Sequence, residues 1–401
     1  MLSFFIILTA GCMATVDPLS VEVVTLEGQS ISAKWEGLTA DGTVSLIIEP
    51  NTTAIPVDQL MLLRRVDEIS STSPAESQPA SSGSLIIHLA DGSRFTATLR
   101  GGSARQIEVD TLPAGLLTLP LTTIAAVRRA DIANPQADEL FNESLKRRDA
   151  TQDVLFILRD GRPTNVRGLT ESITPEEIAF KYRERTRRVP WSDLYGLVLA
   201  KGVQTGDPPP ARCLMDDGSI WAGRLISGDR KSVRLQSAAG ITMDIALTDL
   251  REIRFHSDRV VFLGDLQPTD YAFEPFGLTR WPYRLDRSVA NRPLRIGNRQ
   301  YPRGIGMHSV STLTYNLDTA YKTLAADIGI DAAMGPRGDV VFRVLADGRE
   351  IFNSGPVTGR DPPRSILVEI EGARQLQLCI DLSGQLDISD QANWGNIRLI
   401  K

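Results

Sequence analysis

Residues 301–315 read Tyr-Pro-Arg-Gly-Ile-Gly-Met-His-Ser-Val-Ser-Thr-Leu-Thr-Tyr. The stretch places a Gly-x-Gly turn, formed by Gly304 and Gly306, and a lone histidine ahead of a strand of alternating polar and apolar residues. On both sides of it, about eight strand-like segments separated by turns occupy about 140 residues, as in a two-sheet fold. Residues 258–401 are therefore predicted to form a jelly-roll β-sandwich.

The composition is that of ordinary globular domains. The chain has 401 residues, a net charge of −5 and a pI of about 5.5. The length predicts about two to four domains. The acidic balance argues against a nucleic-acid partner, because nucleic-acid binding normally needs a basic excess. Only three cysteines occur, Cys12, Cys213 and Cys379, which excludes a disulfide framework and a cysteine-rich zinc site.

Residues 1–19 indicate export. Met1–Ala14 is an apolar run followed by small residues, as in a secretory signal, although it lacks a basic beginning. Leu8–Cys12 also resembles a bacterial lipobox, whose cysteine becomes lipid-modified; the alternative is an ordinary exported protein cleaved near Ala14. The run is too short to span a bilayer, which takes about 20 apolar residues. We expect a periplasmic, cell-envelope or extracellular protein, lipid-anchored through Cys12 under the first alternative, without a transmembrane segment in the mature chain.

A pattern of about 50 residues recurs four times before residue 258. Each copy opens with a strand that ends in an acidic residue followed by glycine, a strong hairpin signal because glycine accepts a positive φ. Each copy ends with apolar residues spaced three positions apart in the sequence, which predicts a one-turn helix leading into a last strand. These features favour small SH3-like or Sm-like β-barrels. The predicted barrels are 20–67, 84–130, 151–202 and 211–257, with linkers at 68–83 and 203–210 and a helix within 131–150.

Two properties of the barrel region follow from this pattern. Closed barrels in tandem remove exposed strand edges, so the copies are expected to form an extended, soluble rod. Four cations alternate along one predicted strand and should share a face; they are Lys181, Arg183, Arg185 and Arg187. That face either contacts an anionic polymer or is a solvated, charge-guarded strand face, and the overall acidic chain favours the second interpretation.

The C-terminal segment, about 262–401, is similar to the NPCBM family. The similarity runs in order through Trp281, Asp286–Leu294, Tyr301–Tyr315, Phe342–Glu350 and Asp390–Trp394. This module is appended to glycoside hydrolase family 98 enzymes and is related to carbohydrate-binding module family 51. The resemblance implies a galactose-binding-like jelly roll, so the chain as a whole is expected to be all-β. The family often has His and Asp ahead of the late Trp, where this chain has Gln391 and Asn393.

Saccharide sites need flat aromatic faces for the CH face of a pyranose and planar polar groups for its hydroxyls. The residues that supply this chemistry are Trp281, Tyr283, Arg284, Arg303, His308, Asn393 and Trp394. Each also has a structural interpretation: Trp394 would plug the end of the sandwich, and His308 would satisfy a buried backbone group. A structural Ca²⁺ is the other candidate ligand, held by Asp381, Asp387 and Asp390 in one loop; the alternative is a solvated acidic loop.

These observations predict a non-catalytic, exported carbohydrate-binding protein whose partner is a polysaccharide or a glycoprotein glycan. The alternative is a structural or protein-interaction scaffold, in which the barrels bind envelope proteins and the sandwich no longer binds sugar. An enzyme is not expected, because a glycosidase needs two carboxylates across a cleft and no region outside the repeats and the sandwich is long enough for one. Three scattered histidines and three cysteines form no catalytic constellation.

Overall fold

The computed structural model describes residues 17–66, 83–201, 207–274, 280–317, 321–384 and 389–401. The chain divides into two compact units. The barrel unit comprises residues up to Val23 together with Ile31–His256, and the sandwich unit comprises Val24–Ser30 and Ser257–Lys401. Both units consist almost wholly of antiparallel strands. The predicted all-β fold class is therefore confirmed.

The barrel unit contains four repeats of five strands each. The first has β1 (Ser20–Thr25), β2 (Ser30–Leu38), β3 (Thr43–Ile48), β4 (Asn51–Pro56) and β5 (Leu60–Arg65). The second has β6 (Ser84–Leu89), β7 (Arg94–Gly102), β8 (Gln106–Thr111), β9 (Gly115–Pro120) and β10 (Ile124–Arg129), followed by helix α1 (Pro135–Lys146). The third has β11 (Asp153–Arg159), β12 (Arg162–Ile173), β13 (Glu177–Tyr182), β14 (Arg185–Pro190) and β15 (Leu194–Val198). The fourth has β16 (Ala211–Met215), β17 (Ile220–Gly228), β18 (Ser232–Gln236), β19 (Thr242–Ala246) and β20 (Leu250–Phe255).

Each repeat closes on itself as a small barrel. The first four strands pair antiparallel in chain order and the last strand pairs with the first; in the second repeat, Val127 of β10 lies opposite Ile87 of β6. The same closure joins β1 to β5, β11 to β15 and β16 to β20. Burial alternates along the strands, as with Phe95 and Ala97 of β7, because successive side chains point to opposite faces. The predicted small β-barrels are confirmed.

The turn and helix signals of the repeats are also observed. Gly92 follows Asp91 with a φ of 91°, a left-handed conformation that glycine adopts without a Cβ clash. As predicted, a single 3-10 turn precedes the last strand in the first three repeats, at Val57–Gln59, Leu121–Thr123 and Trp191–Asp193. In the fourth repeat, which has alanine in place of the preceding proline, residues 247–249 form a turn instead.

The repeats do not pack in chain order. The last strands of the first and fourth repeats pair antiparallel, with Leu63 opposite Ile253. Those of the second and third repeats do the same, with Val127 opposite Leu197. We call these the 1–4 pair and the 2–3 pair. The expectation of an extended rod is wrong, because barrel closure uses only one edge of each last strand and the other edge binds a second repeat.

Helix α1 follows the second repeat, as the sequence predicts. Asn134 caps it, since its side chain accepts a hydrogen bond from the Ala137 N–H at 3.0 Å. Phe141 is fully buried against Phe156 and Tyr195, so one apolar face fixes the helix on the third repeat. No helix in the described part of the chain has the length and apolar content needed to cross a bilayer.

The four cations of the third repeat do not share a strand face. Lys181 lies on β13 and Arg187 on β14, and Arg183 lies in the tight turn between them with a φ of 46°. Lys181 is opposite Thr186, whereas Arg187 is opposite Phe180, so Lys181 and Arg187 project from opposite faces of the hairpin. The expectation of one cationic face is wrong, because the chain reverses where a continuous strand was predicted.

The sandwich unit consists of two packed sheets, as predicted. Its strands are β21 (Val260–Phe262), β22 (Asp270–Phe273), β23 (Arg284–Leu285), β24 (Arg295–Ile296), β25 (Arg299–Gln300), β26 (Gly304–His308), β27 (Ser311–Asn316), β28 (Thr323–Ile330), β29 (Asp339–Ala346), β30 (Arg349–Thr358), β31 (Arg364–Glu369), β32 (Gln375–Leu382) and β33 (Gln391–Ile400). One sheet has the order β23-β26-β33-β28-β31, with β21 also on β33, and the other has the order β22-β27-β32-β29-β30. β24 and β25 pair with each other as a separate two-stranded sheet. Fully buried Tyr315, Phe342 and Trp394 contribute to the core between them.

The Gly-x-Gly sequence lies inside strand β26, so the prediction that Gly304 and Gly306 form a tight turn is wrong. The strand pairs along its whole length with β33. A Cβ on Gly306 would lie 2.5 Å from both the Arg287 carbonyl oxygen and the Val289 nitrogen. Glycine is needed there because the chain segment before β26 crosses directly over this face of the sheet.

Candidate functional site

Five rings gather around the turn between β26 and β27. Residues two apart on a strand share a face, so β22 presents Tyr271 and Phe273 together. Trp281 stacks on His308 with ring centroids 5.6 Å apart and planes 2° apart. Phe273 meets the same imidazole edge-on at 6.1 Å, and Tyr283 meets Tyr271 edge-on at 5.0 Å. We call these five residues the aromatic cluster.

Hydrogen bonds hold the aromatic cluster in place. The Tyr271 hydroxyl donates to the Trp281 carbonyl at 2.7 Å. Burial raises the pKa of Tyr271 to about 12, so this hydroxyl remains a donor at neutral pH. Ser311 Oγ donates to the His308 carbonyl at 2.5 Å, and Ser309 Oγ lies 3.3 Å from His308 Nδ1. The buried imidazole therefore supports an indole that is only half-buried.

A hydrogen-bonded polar cluster lies on the neighbouring strands and the loop that covers them. Asn393 Nδ2 donates to Asp331 Oδ2 at 3.1 Å. Arg292 Nη2 donates to Gln391 Oε1 at 3.3 Å and lies 3.7 Å from Asp331 Oδ1. Asp331 and Asn393 are buried, whereas 45% of the Arg292 side chain is exposed. We call these four residues the polar cluster; its buried members orient a guanidinium that reaches solvent.

Strand register brings the two clusters to one edge of the sandwich. His308 of β26 lies directly opposite Gln391 of β33. Residues opposite each other in an antiparallel pair project from the same face, with Cα atoms about 5 Å apart. A flat aromatic surface therefore stands beside a set of hydrogen-bond donors and acceptors. This combination suits a ligand that has an apolar face and several hydroxyls.

Close packing against glycine sets the position of Arg292. The segment 286–303, which carries this arginine, lies on the outer face of the sheet. A Cβ on Gly329 of β28 would lie only 2.2 Å from Ile296 Cγ2, so the segment approaches as closely as glycine allows. The Arg295 carbonyl also accepts a hydrogen bond from Asn393 Nδ2 at 3.0 Å. Backbone packing and a buried amide thus hold this part of the site.

The structure brings together three residues that the sequence proposes for the site, Trp281, Tyr283 and His308, and it places Asn393 in the polar cluster. The other three are held by contacts within the protein. Arg284 Nε donates to a backbone carbonyl at 3.1 Å.

Arg303 and Trp394 are both committed to contacts within the protein. Arg303 Nε lies 3.3 Å from Asp286 Oδ1, and the guanidinium also covers the Phe262 ring at 5.0 Å. Trp394 has no exposed surface and packs edge-on against Phe342 at 4.9 Å. Its ring therefore fills the sandwich core and does not reach the edge at which the two clusters meet.

The three aspartates considered for calcium do not share a described site. Asp381 pairs with Arg343, and Asp390 Oδ1 accepts a hydrogen bond from the Asp339 N–H at 3.0 Å. Asp387 lies outside the described residues. Among the residues that the structure describes, no group of three or more His, Cys, Asp or Glu side chains is arranged to hold a metal ion. Calcium binding by this loop stays a prediction.

Sequence reasoning misses five members of the two clusters. The alternation Tyr271-Ala-Phe273 is the signal that could have identified two of them, because it puts two aromatic side chains on one strand face. Arg292 and Asp331 come from separate loops. No local pattern connects those two with Gln391, so only the folded chain brings them together.

The segment that carries both clusters corresponds to a known module. Residues 259–400 match the NPCBM/NEW2 domain model. The predicted resemblance of the C-terminal segment to the NPCBM family is thereby confirmed. The match ends within one residue of the C-terminus of the chain and includes every described strand of the sandwich unit from β21 to β33.

Two curated proteins are similar to part of the chain. "Putative endo-alpha-N-acetylgalactosaminidase" of Renibacterium salmoninarum is 31% identical over 108 residues, which are 27% of this chain and 7% of the relative. Alpha-1,3-galactosidase B of Akkermansia muciniphila is 33% identical over 115 residues, 28% of this chain and 14% of the relative. The chain thus spans only a small part of the length of these relatives.

Solved structures of carbohydrate-binding modules are also similar. The CBM51 module from Clostridium perfringens GH95, solved in complex with methyl-galactose, is 24% identical. The alignment covers 35% of this chain and 99% of that module, with a TM-score of 0.32.

Proposed function

We propose that this protein binds carbohydrate non-catalytically through its sandwich unit. The observation that carries the proposal is the half-buried Trp281 ring, stacked on His308 beside the partly exposed Arg292. An indole covers the CH face of a pyranose, and a guanidinium with neighbouring amide and carboxylate groups matches its hydroxyls. The match to the NPCBM/NEW2 domain supports the same function.

The relatives indicate which sugars to test first. The names of the two curated relatives refer to galactose and N-acetylgalactosamine, and the similar CBM51 module was solved with methyl-galactose. We infer that the ligand is a galactose-type sugar at the end of a polysaccharide or glycoprotein glycan.

A glycan array probed with the full chain tests this function. We expect retention of glycans that end in galactose or N-acetylgalactosamine, and Trp281→Ala should weaken their binding by about tenfold or more. Tyr182→Ala is the matched control, because Tyr182 is a half-buried aromatic residue of the barrel unit. The proposal fails if the full chain retains no glycan, or if Trp281→Ala binds as tightly as the unaltered protein. Capture of envelope proteins without glycan binding would instead support the scaffold alternative.

The non-catalytic part of the proposal has its own test. The full chain is incubated with the array ligand, and the glycan is analysed by mass spectrometry. We expect the glycan to be recovered intact over many hours. Release of a monosaccharide or a shortened chain, absent from a heat-treated control, would show that the protein is an enzyme.

We also propose that the protein is exported, on the basis of the apolar N-terminal segment. Cell fractionation should place it outside the cytoplasm. Cys12→Ala separates the two modes of export: under lipid anchoring it abolishes labelling by a fatty-acid probe, and under cleavage near Ala14 it changes nothing.

Chelation by EDTA tests the calcium prediction, because a structural Ca²⁺ would make thermal unfolding of the protein sensitive to the chelator.

A further inference from the structure

The two barrel pairs are built alike at their contacts. In the 1–4 pair, the guanidinium of Arg65, the last residue of β5, donates to the Thr248 carbonyl of the fourth repeat. In the 2–3 pair, Arg129, the last residue of β10, donates to the Trp191 and Ser192 carbonyls at 3.2 and 3.3 Å. Each pair therefore contains an equivalent cleft between its two barrels, bordered by an arginine.

An indole fills this cleft in the 1–4 pair. Trp35 of β2 donates from Nε1 to the Asp229 carbonyl of the fourth repeat at 2.7 Å. Its ring is 1% exposed, and the space left beside it is only about 10 Å³. The corresponding position of β7 is Leu99, and there a groove of about 390 Å³ remains open. The 2–3 pair thus keeps a groove that the 1–4 pair has filled.

The walls of the groove are held in place and are chemically mixed. They include Leu85, Leu99, Arg129, Asp131, Pro175 and Trp191. Trp191 Nε1 donates to the Thr174 carbonyl at 2.8 Å, which fixes the indole. Arg129 makes a bidentate pair with Asp131, at 3.0 and 2.6 Å, and both side chains are a little over one-fifth exposed. This hydrogen bonding holds the pKa of Asp131 below its usual value, so the carboxylate is an ionised acceptor at neutral pH.

We propose that this groove is a second saccharide-binding site. The proposal rests on the carbohydrate binding proposed above and extends it to the barrel unit. Its volume lies in the range of about 300–1,000 Å³ that is typical of small-ligand sites. The Trp191 ring offers an apolar face, and Asp131 retains lone pairs that accept bonds from hydroxyls. An apolar occupant would desolvate the Arg129–Asp131 pair without replacing its hydrogen bonds to water. The lining therefore favours a ligand that has hydroxyls as well as an apolar face.

Filling the groove tests the proposal without removing a structural residue. Leu99→Trp places an indole where the 1–4 pair has Trp35, so the variant should keep its thermal stability. Leu116→Trp is the matched control, since it adds the same ring at a position that is 67% exposed and outside the groove lining. Both substitutions are made in full-length Trp281→Ala protein, in which the sandwich site is weakened, and glycan-array binding is measured. We expect residual binding in Trp281→Ala, no change with Leu116→Trp, and a loss of about tenfold or more with Leu99→Trp.

Other outcomes separate this proposal from the function of the sandwich. The groove proposal is overturned if Trp281→Ala alone abolishes binding completely, or if residual binding survives Leu99→Trp. In both cases the sandwich site stands. If Leu99→Trp abolishes binding and Trp281→Ala leaves binding unchanged, the groove site is supported and the sandwich site is overturned. Absence of glycan binding by every form overturns both. If the protein binds no glycan but binds a tryptophan-containing peptide, and Leu99→Trp abolishes that peptide binding, the groove is assigned to a protein partner.

Discussion

Protonation of His88 should destabilise the barrel unit below pH 6.5. This residue lies on β6 beside α1, with its ring centroid 6.1 Å from that of Phe141. Within the described part of the chain, its Nε2 is buried and has no hydrogen-bond partner. Burial, and then the charges of Arg94 and Arg128, lower the pKa of His88 from 6.5 to about 4. The folded protein therefore holds this imidazole neutral.

The sign and size of the effect follow from proton linkage. Because the pKa is lower in the folded state, the unfolded chain binds the proton more tightly between pH 6.5 and 4. The free energy of unfolding therefore falls as the pH drops through this window. A pKa difference of about 2.5 corresponds to about 3 kcal/mol in total, of which about 2 kcal/mol is already lost at about pH 5. This is a large share of the stability of an ordinary domain, about 5–15 kcal/mol.

Urea denaturation of the full chain and of His88→Phe, compared from about pH 7.5 to about pH 5, measures this effect. Phenylalanine keeps a ring beside Phe141 and cannot titrate, and all carboxylates are common to both proteins. We expect the free energy of unfolding of the unaltered protein to fall by about 2 kcal/mol relative to the variant across this range. Parallel pH profiles for the two proteins would refute the reasoning, because they would show that His88 titrates normally in the folded state.

Three further substitutions test the packing described above. In Gly306→Ala, the added alanine methyl group collides with the backbone that crosses β26. The substitution should therefore destabilise the sandwich unit by about 1–3 kcal/mol in urea denaturation, and it should also weaken glycan-array binding. Phe95→Ala should cost about 3–5 kcal/mol in thermal unfolding, since the ring is 1% exposed and stacks on Trp221 at 4.2 Å; Phe95→Leu should recover most of this loss. Tyr195→Phe removes the hydrogen bond to Asp138, so it should cost about 1 kcal/mol and speed amide exchange in α1; an unchanged exchange rate would contradict that role.

Local sequence patterns were sufficient for the class of fold and for its parts. The acidic-Gly turns, the period-two strands and the closing apolar residues three positions apart predict small β-barrels, because each pattern reports on backbone geometry within a few residues. The prediction of a helix within 131–150 is local in the same way. The expectation of a rod was wrong because it depended on which strand edge pairs with which repeat. The expectation of one cationic face was wrong because it depended on where the hairpin turns.

The candidate site illustrates the same division. Trp281 and His308 were recognisable from residue type, because an aromatic or imidazole ring has the chemistry that a sugar site needs wherever it stands. Their stacking, the contribution of Arg292, and the burial of Trp394 depend on strand register and on a loop pressed against glycines. Likewise, four similar repeats do not reveal that the first pairs with the fourth, because their last strands offer equivalent edges. Side-chain packing between residues far apart in the chain selects the partner, and with it the cleft that Trp35 fills and Leu99 leaves open.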